Sequence, residues 1–211
     1  MAERLHIHHD NPQPRLIRRA AEIIRAGGLA AFPTDSAYAL GGHLGDAALL
    51  DRIRRIRGVD DRHHFTLMCR DLSEIATYAK VDNAQYRLLK ANTPGSYTFI
   101  LEGTKELPRR VLHPKRKTIG LRIPDHPVAL ALLAELDEPL LSSTLLLPDD
   151  VDPPSNADAI DERIGGQLDL IIDGGIADEH MATATTVINL SSGAPEIVRV
   201  GRGPLAPFGL E

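Results

Sequence analysis

The residues best suited to bind a polar ligand are Thr34, Asp35 and Ser36, two hydroxyls and a carboxylate directly after the apolar run 29–33. Such a run predicts a buried strand, and polar groups at a strand end can contact a ligand while the sheet holds them in place. The following Gly41-Gly42 predicts a turn. The segment is therefore a candidate ligand-binding loop, and the alternative is an ordinary cap of the strand by Thr34 and Asp35.

Cationic side chains fall into two clusters, although the net charge of the 211-residue chain is −5. A mildly acidic protein with such a distribution can carry a local positive field that attracts anions. The alternative is a pair of solvated surface runs. The first cluster is Arg52, Arg54, Arg55, Arg57, Arg62 and Arg70, and the second is Arg109, Arg110, Lys115, Arg116 and Lys117.

The common phosphate-binding and metal-binding motifs are missing from the sequence. There is neither GxxxxGK[ST] nor GxGxxG, so a nucleotide would have to bind by another scheme. HExxH and CxxC are also missing, and the adjacent pairs His8-His9 and His63-His64 would point to opposite faces of a strand. We therefore predict no metal site. The single cysteine, Cys69, excludes an intramolecular disulfide and favours a reducing compartment.

The elements that must position these residues are short and alternate without a strict βαβ rhythm. Periodic apolar residues, with Asp46, Asp71, Asp82 and Asn156 as caps, predict helices over 15–26, 47–57, 71–79, 82–91, 127–136 and 156–165. Runs of β-forming residues predict strands over 29–33, 65–69, 97–101, 118–123, 140–147, 168–172, 185–190 and 196–200, with a loop over 173–184. Several strands follow each other directly, which favours a single α/β domain with a mixed, twisted sheet.

Length and composition exclude a disordered chain and a membrane-spanning segment. The chain is 43% hydrophobic, which is too high for disorder. Its apolar runs are no longer than strands, well short of the roughly 20 residues that a membrane helix needs. Residues 1–10 lack the apolar core of a signal peptide. We therefore expect a cytoplasmic protein that does not engage a membrane.

Several segments resemble, in order, the motifs of one known family. Residues 33–41 are similar to the PT[DE][ST]xYxLG signature of the YrdC/YciO family, whose characterised enzymes are L-threonylcarbamoyladenylate synthases. The resemblance covers about residues 8–203 and implies one YrdC-like domain, an open twisted mixed sheet flanked by helices with a concave, positive cavity. Further matching segments are 93–101, 118–127, 169–175, 185–188 and 199–201, and segments 65–72 and 103–110 resemble the YciO branch.

The resemblance also implies a reaction that joins threonine, bicarbonate and ATP. The amine of threonine, or of a similar amino acid, takes up CO₂, and the carbamate oxygen attacks the α-phosphate with loss of pyrophosphate. ATP with Mg²⁺ is then a substrate, and no tightly bound cofactor is implied. The product, threonylcarbamoyl-AMP, feeds tRNA modification. Such a site holds a triphosphate and stabilises charge at phosphorus, tasks that suit cationic side chains.

The resemblance assigns ligand-binding roles at the positions that match family motifs. Arg57 stands at the position of a family lysine and is the predicted catalytic and nucleotide-binding cation. Arg199 matches an arginine on the nucleotide side, where Thr144 keeps the hydroxyl of a family serine. The hydroxyls matched to the amino-acid pocket are Thr34, Thr118 and Thr185.

Two positions depart from the family pattern. Val59 stands where the family has arginine, and Leu146 stands where it has asparagine. Neither side chain can bind a phosphate, and the loss of one such contact typically lowers a rate roughly 10²–10³-fold. Arg62 and His63 are near enough in sequence to be candidate replacements.

Three functions remain open at this point. The first is a carbamoyl-adenylate synthase, and the second is a double-stranded RNA-, tRNA- or nucleotide-binding module without efficient synthase chemistry. The third is an enzyme that uses a different acid, because Val59 and Leu146 make the site more apolar. The RNA contacts of the second function would be Arg52, Arg55, Arg110, Lys115, Arg116 and Lys117.

Overall fold

The protein is built on one open ten-stranded sheet. The computed structural model describes residues 1–175 and 183–210, so residues 176–182 of the predicted loop lie outside the described part of the chain. The strands are β1 (Glu3–His6), β2 (Ala30–Phe32), β3 (Ala39–His43), β4 (Thr66–Met68), β5 (Tyr97–Glu102), β6 (Thr118–Arg122), β7 (Leu140–Thr144), β8 (Leu170–Asp173), β9 (Thr186–Asn189) and β10 (Glu196–Arg199). Their order across the sheet is β1-β8-β2-β3-β7-β4-β6-β5-β9-β10. Parallel and antiparallel pairs alternate irregularly, which confirms the predicted mixed sheet.

Six α-helices within the described residues flank the sheet. They are α1 (Pro14–Arg25), α2 (Ala47–Arg57), α3 (Leu72–Tyr78), α4 (Asn83–Asn92), α5 (Pro127–Leu136) and α6 (Ala157–Ile164). The predicted caps are confirmed, because the side chains of Asp46, Asp71, Asp82 and Asn156 each accept a backbone N–H of the first turn. In the described part of the chain, no helix is long and apolar enough to cross a membrane.

The helices cover the two faces of the sheet unequally. α1 and α5 pack on one face, where Ile24 and Leu132 share an apolar cluster with Leu140 of β7. A larger cluster on the other face includes Ile53 of α2 and Leu89 of α4. Among the described residues, the cluster under α1 and α5 takes none from β5, β6, β9 or β10. On this face, the half of the sheet formed by β5, β6, β9 and β10 therefore lies outside that apolar cluster, and a concave site can form there.

Two strands were not predicted, and the turn predicted at Gly41-Gly42 is wrong. β1 was missed, and both glycines lie inside β3, which pairs with β2 and β7. A Cβ atom on Gly42 would lie 2.8 Å from Leu49 Cδ1, and one on Gly41 would lie 3.0 Å from an edge carbon of Phe32. Glycine at these positions permits close packing of the strand rather than a reversal of the chain.

The strand predicted over 140–147 is also too long, since β7 ends at Thr144. The backbone N–H of Leu146 donates to the carbonyl of Thr144 at 3.0 Å, which turns the chain away from the sheet. The apolar run 145–147 thus continues beyond the strand while Leu145 remains in the core.

Packing continues on both sides of the predicted 8–203 domain. β1 pairs in parallel with β8 through residues 3–6. Near the other end of the chain, Phe208 is buried and packs its ring against Tyr97 and Phe99. Both segments therefore stabilise the sheet that carries the site.

Candidate anion-binding site

A concave cavity of about 430 Å³ lies on the part of the sheet that α1 and α5 leave open. Strands β4, β5, β6, β7, β9 and β10 and the end of α2 all contribute to its lining. Among the described residues that line it, none is acidic. The lining side chains that carry chemistry are Arg57, Arg62, His63, His64, Thr98, Ser143, Thr144, Thr185 and Arg199.

Arg57 is the last residue of α2, and its guanidinium is held by two acceptors. Its Nε donates to the backbone carbonyl of Leu146 at 2.8 Å, and its Nη1 donates to Ser143 Oγ at 2.6 Å. Gly58 ends the helix with a left-handed φ of 62°, and a Cβ atom there would lie 2.9 Å from Pro148 Cγ, so glycine permits the close approach of α2 to the chain after β7. The arginine is therefore positioned before any ligand arrives.

Arg199 lies at the end of β10 and reaches the same cavity. Its Nε and Nη2 donate to the backbone carbonyl of Thr185 at 3.1 and 2.9 Å, and Nη2 also contacts Thr185 Oγ1 at 3.1 Å. Thr185 Oγ1 is in turn 2.9 Å from Thr98 Oγ1. These contacts place a cation and two hydroxyls on one wall.

The two arginines repel each other. Burial, and then the charge of Arg199, lower the pKa of Arg57 to about 10, which leaves it charged at neutral pH. Burial also lowers the pKa of Arg199. Within the described residues, neither guanidinium is paired with a carboxylate. An anion in the cavity would neutralise both.

His63 and His64 both line the cavity, so the prediction that adjacent histidines point to opposite faces is wrong here. They precede β4 and do not share its alternation. His63 Nε2 is 3.1 Å from Ser143 Oγ, and His64 Nε2 is 3.1 Å from Thr118 Oγ1. Burial, and then the charge of Arg57, lower the pKa of His63 to about 4. Burial and the neighbouring His113 also lower the pKa of His64.

A smaller hollow adjoins the cavity and has Arg122 in its wall. The two share Thr66, Thr98 and Thr185 among their lining residues. Arg122 is only 5% exposed and pairs with Asp35, and its Nη2 also contacts Thr34 Oγ1 at 3.3 Å. Its Nε is buried without a hydrogen-bond partner among the described residues. Such a donor is unusual, since buried polar atoms are nearly always paired.

The predicted site residues are only partly brought together. Arg57, Thr144, Thr185 and Arg199 line the cavity. Thr118 reaches it through His64. Thr34 does not line it, because its hydroxyl donates to the carbonyl of Ala37 at 2.6 Å and accepts the N–H of Ser36 in a local turn. Its role in substrate binding stays a prediction.

Sequence reasoning missed Arg122, Ser143 and Thr98, and named His63 only as a candidate replacement. The alternation of side chains along a strand could have identified Thr98 and Arg122, because both fall on the same side of their strands as the predicted Thr118. Arg62 and His63 are both in the lining, whereas Val59 is outside it. The structure thus places both candidate replacements beside Arg57.

The predicted RNA-contacting residues are partly engaged within the protein. Arg52 pairs with Asp169 at 2.7 Å, and Arg110 donates to the carbonyl of Gly45 at 2.7 Å. Arg55 and the run 115–117 are exposed. RNA binding stays a prediction.

His8 and His9 lie outside a strand, so the alternation that was expected to separate their side chains does not apply to them. These residues follow β1 in a bend, and their rings stack at 4.8 Å with Asp10 near by. Three ligand atoms lie within 4.8 Å of one another. However, His8 Nδ1 accepts the backbone N–H of Asp10 and Asn11, and His9 Nε2 is 2.9 Å from the Asp10 carboxylate. One ring nitrogen of His8 is thus engaged by the backbone, and His9 and Asp10 contact each other.

The chain combines an open mixed α/β sheet with a concave cavity in which Arg57 and Arg199 have no carboxylate partner among the described residues. The Sua5/YciO/YrdC family model, described as telomere recombination, matches residues 22–201, and the chain therefore belongs to this family.

The relatives support the same assignment. YciO of Escherichia coli K12 is 53% identical over 99% of this chain and 100% of its own length, and its crystal structure matches with a TM-score of 0.94. The threonylcarbamoyl-AMP synthase of Pyrococcus abyssi is 30% identical over 90% of this chain and 55% of the synthase. The crystal structure of P. abyssi Sua5 complexed with L-threonine matches with 26% identity and a TM-score of 0.88, over 97% of this chain and 59% of that one. The predicted YrdC/YciO resemblance and fold are confirmed.

Proposed function

We propose that this protein is an ATP-dependent synthase that converts an amino acid and bicarbonate into a carbamoyl adenylate. The amine of the amino acid first condenses with bicarbonate, with loss of one water, to give a carbamate. A carbamate oxygen then attacks the α-phosphorus of ATP. The bond from that phosphorus to the bridging oxygen breaks, and pyrophosphate leaves. Threonine is the first candidate substrate, because the related Sua5 of P. abyssi forms a complex with it.

The observation that carries this proposal is the pair Arg57 and Arg199 in one cavity whose described lining contains no carboxylate. Two uncompensated guanidiniums in a partly desolvated concavity favour a polyanion such as a triphosphate. Arg57 is fixed by Leu146 and Ser143, so little reorganisation is needed when the phosphates bind. Mg²⁺ would arrive with the nucleotide as part of the substrate, since the described lining offers no carboxylate.

The adjoining hollow has a volume of only about 10 Å³, so it could receive one small polar group of the amino acid, such as its carboxylate, while the rest of the substrate would lie in the larger cavity. Arg122 lines this hollow, so a carboxylate bound there would lie near its guanidinium, which already pairs with Asp35 on another side. The hydroxyls of Thr98 and Thr185 lie between this hollow and the cavity, where a polar side chain of a substrate would bind. The amino acid would then lie beside the phosphates with its amine toward the cavity.

The apolar part of the lining limits the size and polarity of the substrate. Ile100, Val187 and Val198 contribute hydrocarbon to the cavity wall. A small amino acid with a hydroxyl and a methyl group fits both kinds of wall. The third hypothesis, a changed acid, is tested by the same assay with a panel of amino acids.

The direct test is pyrophosphate release from ATP, measured with the amino acid and bicarbonate present together or singly. We expect release only when all three substrates are present. Arg57→Ala should lower the rate about 10²-fold or more, because a charge aimed at the phosphates is lost. Arg18→Ala removes the same charge from an exposed position on α1 and should leave the rate unchanged.

Two outcomes would contradict the proposal. One is the absence of pyrophosphate release with any amino acid while the folded protein binds ATP. The other is a rate that falls equally in Arg57→Ala and Arg18→Ala, since the effect would then reflect general charge and not the cavity.

RNA binding remains the second candidate because Arg116 is exposed and its charge acts on His64 at the cavity. Backbone-dominated RNA binding weakens steeply with added salt. Binding of a duplex RNA that is lost in Lys115→Ala/Arg116→Ala/Lys117→Ala but kept in Arg57→Ala would favour this candidate.

A further inference from the structure

His63 is fixed in the cavity by contacts that leave one ring nitrogen free. Its ring packs edge-on against Phe65 at 5.5 Å, and Nε2 contacts Ser143 Oγ at 3.1 Å. Ser143 Oγ accepts from Arg57 Nη1, so its own hydrogen is available to donate to His63. In the described part of the chain, Nδ1 has no hydrogen-bond partner, and His63 lines the cavity.

The charges that act most strongly on the His63 ring are positive, while Asp60 in the same turn directs its carboxylate to the backbone N–H of Arg62. Arg54 and Arg57 approach from α2, Arg199 approaches from β10, and His64 is its neighbour in the chain. Burial is the main reason that the ring stays neutral, and these cations add to it. Ser143 from β7 and the Phe65 ring are the uncharged groups packed against it.

We propose that His63 is a further anion-binding cation of the cavity, in addition to its arginines, and that it takes up a proton when a phosphate-bearing ligand binds beside Arg57 and Arg199. The inference rests on the proposed function, since it takes the phosphate chain of ATP as the ligand. On protonation, Nε2–H donates to Ser143 Oγ, and Nδ1–H is left to donate to a phosphate oxygen. The proton comes from solvent, and no covalent bond changes.

The physical basis is charge compensation. A phosphate anion cancels the repulsion from Arg57, Arg199 and Arg54, which is part of what keeps His63 neutral. The anion also attracts the imidazolium directly, so the pKa of His63 must rise when the ligand binds. By linkage, ligand affinity must rise as the pH falls.

The experiment is calorimetric titration of the full chain with cyclic trimetaphosphate, an anion whose own charge is constant across the pH range used. We expect the affinity of the wild-type protein to rise roughly tenfold from about pH 8 to about pH 5, as for a histidine whose pKa rises by about two units on binding. His63→Gln, which keeps a hydrogen-bonding group for Ser143, should rise less than about twofold. His8→Gln changes an exposed ring outside this cavity and is the control, which should keep the full dependence. His64→Gln removes the neighbouring histidine of the lining and tests whether that ring, and not His63, carries the dependence.

Each remaining outcome decides the question. If trimetaphosphate does not bind the wild-type protein at any pH, the cavity is not a phosphate site and the proposed function fails with it. If it binds with an affinity independent of pH, or if only His64→Gln loses the dependence, the role of His63 is wrong while the proposed function stands. Should His63→Gln fail to fold, the NMR titration of the His63 ring in wild-type protein decides, since its midpoint must move to higher pH when the anion is added.

Discussion

Arg57 is held by one side-chain acceptor, Ser143 Oγ, and by one backbone acceptor, the carbonyl of Leu146. Substitutions at these two positions therefore have different effects on the arginine. The Leu146 carbonyl accepts from Nε whatever side chain stands there, provided that the chain turns away from β7 as it does after Thr144. The leucine therefore removes a polar side chain from the site without releasing the arginine. Ser143 is the partner that a substitution can remove.

The buried pair of Arg122 and Asp35 gives a stability prediction for single residues. Asp35→Asn would leave the guanidinium of Arg122, 5% exposed, without its counter-charge. Burial already lowers the pKa of Arg122, and Asp35 is the main group that opposes this shift. We expect a loss of about 3–5 kcal/mol in the free energy of unfolding, measured by urea denaturation.

The control for this pair is an exposed one. Glu3 and Arg19 pair at 2.7 Å with side chains that are 38% and 50% exposed, so Glu3→Gln should change stability by less than about 1 kcal/mol. Equal effects of Asp35→Asn and Glu3→Gln would show that burial of the Arg122 pair has no energetic weight.

At the scale of elements, the short strand β10 determines where Arg199 points. The pairing of β10 with β9 shifts register between Ile197 and Arg199, and a bulge of this kind re-aims a side chain. Beyond the strand, the N–H of Gly201 donates to Thr186 Oγ1 at 3.0 Å. A Cβ atom on Gly201 would lie 2.3 Å from the carbonyl oxygen of Ala184.

Gly201→Ala should therefore displace the end of β10. Because the obstacle is backbone and not a flexible side chain, we expect a loss of about 1–3 kcal/mol in stability. Binding of trimetaphosphate should weaken as well, since Arg199 is carried on the displaced strand. Gly166→Ala is the control, with nothing within 4 Å of the added atom and an expected change within about 0.5 kcal/mol. Unchanged stability and affinity in Gly201→Ala would show that the strand end is free to move.

Elements with strong local signals could be predicted from the sequence, and those defined by partners could not. α2 was predicted with its cap because Asp46 and the spacing of Leu49, Leu50 and Ile53 are local features. β3 was missed because Gly41 and Gly42 are typical of turns, and only Phe32 and Leu49 explain why they lie in a strand. His63 was misplaced for a similar reason, since the alternation rule applies only inside a strand.

For the whole molecule, the cavity depends on strands far apart in the chain. β5 lies between β6 and β9 in the sheet, although 63 residues of chain separate the end of β6 at Arg122 from the start of β9 at Thr186. Composition does not show this convergence, because the chain as a whole is acidic while the cavity is cationic. The family motifs supplied Arg57 and Arg199, whereas the pairing of Arg122 with Asp35 required the structure.

Buried neutral histidines make the stability of the whole molecule depend on pH. The pKa of His63 falls from an ordinary 6.5 to about 4, and burial also lowers those of His64 and His126. The unfolded chain therefore binds more protons than the folded one between these values, so stability falls as the pH drops from about 6.5 toward 4. Above about pH 6.5 the three rings are neutral in both states, and their contribution is constant.

His63→Gln should reduce this loss of stability. Because the ring is partly exposed to the cavity, we expect the variant to lose about 1–2 kcal/mol less than the wild-type protein between about pH 6.5 and pH 4.5, measured by urea denaturation at each pH. The comparison cancels the carboxylates, which titrate in both proteins. His8→Gln changes an exposed ring and should follow the wild-type curve. Parallel curves for His63→Gln and the wild-type protein would mean that His63 titrates alike in the folded and unfolded states. The proton-linked binding of anions requires a His63 ring that is neutral in the free protein, and this requirement would then not be met.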